Sequence, residues 1–186
     1  MTQPALKEWS AAVHALLEGR QTVLLRKGGI HEKRFSLDPA DGAAPFLLFP
    51  TVAHSHPQRV RAEHRDLLAP AAADSTDTHL VVRAAAKVVA AVEVTQPDRI
   101  DEIEDLHIWT AESVRAERLD FRPRHRLTVL VVAARPLDNP VRLARLPEYA
   151  GCRSWVQVPV TAPFGAPVHD AATLDAIAER VRQSLG

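Results

Sequence analysis

Arg20, Arg26, Lys27, Gly28, Gly29 and His31 stand close together near the start of the chain. Guanidinium groups make bidentate contacts to phosphate, and a glycine pair lets backbone N–H groups approach an anion closely. The same residues also suit a solvated turn at a strand end. They are not a phosphate-binding P-loop, because Lys27 precedes the glycines and no Ser or Thr follows.

His54, His56 and His64, with Glu63 beside the last, form the second group. A His-x-His pair can chelate from one turn while a helical histidine adds a third ligand. Surface histidines in a polar loop account for the same spacing. Trp109, in "LHIWT", offers an aromatic face for a base, or else belongs to the core. The run "RAERLDFRPRHR" over 115–126 carries many cations, interrupted by Glu117 and Asp120. It reads as a solvated face, with a phosphate-tracking groove as the alternative. Nucleophilic catalysis has little support. There is no G-x-S-x-G, and Cys152 reads as a small buried thiol.

These residues need a scaffold. The 186 residues suit one domain, with 46% hydrophobic and 25% charged residues. Lys plus Arg equals Asp plus Glu at 23 each, so no global charge advertises a polyanionic partner. One cysteine excludes an internal disulfide. The opening residues do not read as a signal peptide, and no apolar run approaches a membrane span. The expected location is the cytoplasm, with no membrane partner and no cofactor.

The first element reads as a helix from Pro4, with Leu6, Trp9, Val13, Leu16 and Leu17 on one face and Gly19 as its stop. Strands are expected at 22–27, 46–49, 88–94, 127–134 and 155–158, all in one curved sheet or barrel. Pro136 and Pro140 are expected to end the fourth. Short helices are expected at 57–68, within 96–107 with Asp98 as cap, and at 111–119. Residues 69–78 read as an exposed loop. A last helix, capped by Asp170, carries a stripe of Leu174, Ile177, Ala178, Val181 and Leu185. The fold class is α+β, with a mixed or antiparallel sheet, either curved and open or closed as a small barrel.

The segments "ALKEW", "ALLEGRQTVLLRKGGIHE", "FLLFPT" before His54, "LHIWT" and "YAGCRSWV" resemble a bacterial family defined as a domain of unknown function. The resemblance spans about residues 5–158. Some relatives carry a restriction-endonuclease-like domain, which implies a restriction or defence context and a restriction-type nuclease as partner. "ALLEGRQTVLLR" and "VVAAVEVTQPDRIDEIEDL" more distantly resemble ASCH and other PUA-like domains. That implies a small β-barrel flanked by helices, with a PUA-like core over about 5–160 and a terminal helix at 170–185 in a single domain, 1–186.

The resemblance further implies a cleft for nucleic acid, DNA rather than RNA, with modified or unpaired bases as ligand. Arg20, Arg26, Lys27, Gly28, Gly29, His31 and Trp109 would line it, with Glu32 and Glu93 in a polar pocket. Some ASCH members are amidohydrolases using a lysine, a threonine and a glutamate. Here Gln21 and Leu24 stand at the first two positions and only Glu93 matches, which argues against that chemistry and leaves the catalytic set empty. Two other readings stay open. One is a metal-dependent nuclease or hydrolase using His54, His56, His64 and Glu32. The other is a protein-interaction module of a defence system.

Overall fold

A computed structural model describes residues 1–28, 31–32, 35–36, 44–52 and 57–186, with backbone only at 31, 32, 35 and 36. Its centre is a six-stranded mixed sheet that curls into half a barrel. The strands are β1 (Gln3–Trp9), β2 (Val23–Arg26), β5 (Phe46–Thr51), β6 (His79–Glu93), β7 (Thr128–Ala144) and β8 (Trp155–Val158). Their order is β2-β7-β6-β5-β1-β8. A short hairpin pairs β3 (His31–Glu32) with β4 (Phe35–Ser36). All five runs expected to share one sheet do so, and helices flank it as an α+β fold requires.

The N-terminal segment departs from expectation. Residues from Pro4 to Trp9 form a strand, and the helix begins only at Ser10 as α1 (Ser10–Leu17). β1 pairs parallel with β5, Leu6 opposite Leu48, and antiparallel with β8, Leu6 opposite Trp155. Both faces are covered. Leu6 packs with Val13, Leu16 and Phe46, while Ala5 packs with Leu47, Phe49 and Tyr149. A strand buried on both sides loses its alternation, so its apolar residues can be read as a helix stripe.

α1 stops as expected at Gly19, whose φ is +74°. The Arg20 N–H reaches the Ala15 carbonyl at 2.9 Å, and the Gly19 N–H reaches Leu16 at 3.3 Å. This paired closure of a helix end needs a left-handed residue, which glycine supplies without strain. It delivers the chain directly into β2.

β7 runs through Pro136 and Pro140 instead of ending there. Pro136 lies opposite Ala84, and the register against β6 shifts between Val82 and Ala84. An irregularity of this kind accepts residues that cannot donate to the ladder. The expected loop at 69–78 is in part a helix, α2 (Leu68–Ala73), with Ala71 in the core. Pro97–Leu106 forms 3-10 turns preceded by Gln96, so Asp98 lies inside the segment and is not its cap. α3 (Ala111–Val114) continues into a π-helical turn at Arg115–Asp120. α4 (Ala171–Leu185) is capped as expected, the Asp170 carboxylate accepting from the Thr173 N–H at 2.8 Å. Leu174, Ala178, Val181 and Leu185 are buried there, and Ile177 is partly buried.

Candidate nucleic-acid interface

A cleft of about 740 Å³ opens where β1 and β2 end, closed on one side by the π turn and on another by residues 145–154. Its apolar lining includes Trp9, Leu25, Phe49 and Tyr149. Lys7, Arg26 and Lys27 enter from the strand ends, Arg118 and Arg122 from the π turn and the residue pair after it. Arg145 and Arg153 complete the cationic lining, against the carboxylates of Glu8, Asp77 and Glu117.

The pairing of these cations sets the cleft apart. Outside it most of the described arginines meet carboxylates, among them Arg83 with Asp74, Arg99 with Glu102, Arg115 with Asp101 and Arg180 with Asp105, while Arg65 and Arg135 bond carbonyls. Among the described residues, Arg26 is the one cleft-lining cation with a carboxylate partner, Glu8 at 3.4 Å. Glu117 is taken by Arg59, outside the cleft, at 2.6 Å. The Lys7 ammonium donates to the carbonyls of Tyr149 at 2.5 Å and Gly151 at 3.0 Å. Lys27 donates to the Leu119 carbonyl at 2.8 Å, which pins the π turn to the end of β2. Arg145 bonds the Thr76 carbonyl at 2.6 Å. Carbonyls orient these side chains without neutralising them.

Burial lowers the pKa of Lys7. The Cys152 sulfur opposes that, and Arg145 and Arg153 reinforce it. Burial also lowers Lys27, with Asp120 opposing, and lowers Arg118, with Glu8 opposing. A cation held at such a cost gains most from an incoming anion.

Arg118 lies with its guanidinium carbon 5.8 Å from the centre of the Trp9 ring, and Arg59 lies at 5.4 Å. Trp9 in turn meets Trp109 edge-on at 4.6 Å. Trp109 is only 5% exposed, packed with Ile108, Val60 and Ile103 in the core. It is therefore no stacking surface, which corrects the expectation placed on it.

The structure brings Arg26, Lys27 and Gly28 to one cleft. It does not bring Arg20, which is held by Asp66 through two bonds of 2.8 and 2.9 Å and by Glu18 at 2.7 Å. Gly28 has φ +84°, and a Cβ built there would meet nothing within 4 Å. Its glycine is thus a matter of backbone conformation and not of packing. Gly29, His54 and His56 lie outside the described residues, as do the side chains of His31 and Glu32. Glu93 is an exposed partner of Arg126 and lines no described cavity. Gln21 is buried, donating to the Val23 carbonyl and accepting from the Ile108 N–H, and Leu24 is core.

His64 lies 3.2 Å from Arg61 through Nε2, and burial, then Arg61, lowers its pKa. Among the described residues no group of three or more His, Cys, Asp or Glu is arranged to hold a metal. Cys152 is exposed, against the buried thiol expected. Among the described residues no helix is long and apolar enough to cross a membrane. Lys7, Glu8, Trp9, Arg145 and Arg153 are among the cleft residues that sequence reasoning missed. Arg118 and Arg122 fall in the run for which a phosphate groove was the alternative reading.

The profile described as Domain of unknown function (DUF1802) matches residues 5–180. A point mutant of the ASCH protein ZmASCH from Zymomonas mobilis, solved by crystallography, is similar over 74% of this chain and 72% of its own, at 15% identity and a TM-score of 0.44. None of the curated proteins compared with the chain matches it.

Proposed function

We propose that this chain, which belongs to the DUF1802 family, is a PUA-like module that binds nucleic acid through the cleft between β1, β2 and the π turn. One observation carries the reading. Among the described residues no cation of this cleft except Arg26 forms an ion pair with a carboxylate, while carboxylates hold many of the arginines outside it. Guanidinium groups recognise phosphate through bidentate charged hydrogen bonds, and a local cluster suffices in a chain of zero net charge. DNA is the proposed polymer, in the cytoplasm and in a restriction or defence setting with a nuclease as partner.

Fluorescence anisotropy with labelled DNA and RNA oligonucleotides at several salt concentrations tests this. Arg153→Ala should weaken binding about equally across sequences and reduce the salt slope by about one. Arg20→Ala, outside the cleft, should change neither. Equal binding by wild type and Arg153→Ala, with equal slopes, would place any nucleic-acid contact elsewhere.

A further inference from the structure

Phe121 is 56% exposed, on the residue that follows the π turn, and it lines the cationic cleft. Arg122, next in the chain, has φ +50°, a left-handed conformation uncommon outside glycine. Its guanidinium carbon stands 5.2 Å from the centre of the Phe121 ring. A large aromatic side chain left in water forgoes the stabilisation of burial, so its position needs a reason. The core had room for aromatics: Trp109 and Trp155 are both buried.

We infer, on the basis of the function proposed above, that the cleft takes a single strand, with one unpaired base stacked on Phe121 and its phosphates on Arg118 and Arg122. Every base has a π-face, and an aromatic ring can meet it only when the base is not covered by neighbours in a duplex. Arg118 and Arg122 have ring contacts and, among the described residues, no carboxylate at ion-pair distance; Glu8 and Glu117 act on Arg118 only from further off, being paired with Arg26 and Arg59, so both guanidinium groups can still meet a phosphate. The cleft, at about 740 Å³, has the size of pockets that receive small organic ligands, which suits one nucleotide and its flanking phosphates.

The test compares full-length wild type, Phe121→Ala, Phe121→Trp and Arg153→Ala on one oligonucleotide, single-stranded and annealed, in DNA and RNA forms. Wild type should prefer the single strand. Phe121→Ala should weaken that binding by about five- to 150-fold with an unchanged salt slope, and Phe121→Trp should restore it. Its exposure makes a folding defect avoidable, and unchanged melting temperatures would confirm that. Equal affinity for duplex and single strand, or no loss in Phe121→Ala, overturns this inference. A loss in Arg153→Ala would still uphold the cleft in that case. Absence of binding to every oligonucleotide overturns both.

Discussion

The Arg26 guanidinium stands 3.4 Å from a carboxylate oxygen of Glu8 and 3.0 Å from the carbonyl of Lys7, so one side chain ties the end of β2 to the end of β1. Glu8 is 5% exposed, and its other oxygen accepts from the Trp9 N–H at 2.8 Å. A buried carboxylate thus sits at the edge of a cationic cleft and holds one of its arginines. In the proposed function a phosphate competes with Glu8 for Arg26.

Glu8→Gln is therefore expected to act in two directions. Stability should fall by about 1–3 kcal/mol, because Arg26 keeps a partly buried position without its counter-charge. Oligonucleotide affinity should rise, and the salt slope should steepen by about one, as Arg26 becomes free for a phosphate. Urea denaturation and anisotropy titrations on the same preparation measure both. A stable variant with unchanged affinity would show that Arg26 does not face the ligand.

Gly28→Ala isolates backbone strain. A methyl group there has open space, yet φ +84° disfavours any L side chain. The expected loss is about 1–2 kcal/mol. Gly28→Asn should lose less, since asparagine tolerates the left-handed region better. Equal stability of all three proteins by urea denaturation would mean that this turn relaxes away from the observed conformation.

The strands were legible where composition and length agreed: Val23–Arg26, Phe46–Thr51 and Trp155–Val158 are short, mainly apolar runs with clear punctuation. The C-terminal helix was legible because Asp170 and the 3–4 spacing of Leu174, Ala178 and Val181 are local signals. β1 was not, because its pairing with β5 and β8 is a long-range property, and its flanking residues repeat a helical spacing by chance. That single misreading hid Lys7, Glu8 and Trp9 from the site. Arg145 and Arg153 stand far from Arg26 in the chain, and nothing local joins them. Trp109 and Phe121 show the limit from the other side, since burial alone decides which ring meets solvent.

His107 gives the fold a pH dependence. It is 2% exposed, and its Nδ1 accepts from the Trp109 N–H at 3.1 Å. Burial, reinforced by Arg61, pushes its pKa down to about 4 from an ordinary 6.5. The unfolded chain therefore takes up a proton that the folded one refuses. This stability is fully present above pH 6.5 and is lost as the pH falls toward 4, by about 3 kcal/mol in total. His107→Asn keeps an acceptor for Trp109 but does not titrate. Its stability should vary less than that of wild type across this window in urea denaturation, with His64 contributing equally to both. Parallel pH profiles would mean that His107 is as easily protonated folded as unfolded.

Asp74 titrates with the opposite preference for charge. It follows α2, is 2% exposed, and one oxygen receives His14 Nε2 at 2.7 Å and Arg83 Nε at 2.6 Å. It thereby joins α1, α2 and β6. Burial alone would raise its pKa, but the hydrogen bonds from His14 and Arg83, with their charges, outweigh it and hold the carboxyl below the ordinary 3.8. A depressed carboxylate stabilises the fold above its unfolded pKa, and that contribution disappears as the pH falls below 3.8 through the folded value. Asp74→Asn leaves Arg83 facing a neutral amide. At pH 7 it should cost about 3 kcal/mol, the lower end for a broken buried pair because Arg83 is partly solvated. The gap between variant and wild type should be constant from pH 7 to 5 and narrow only below pH 4. A gap that stays open down to pH 2 would show that the carboxylate is not what His14 and Arg83 hold, and that the variant fails for its packing alone.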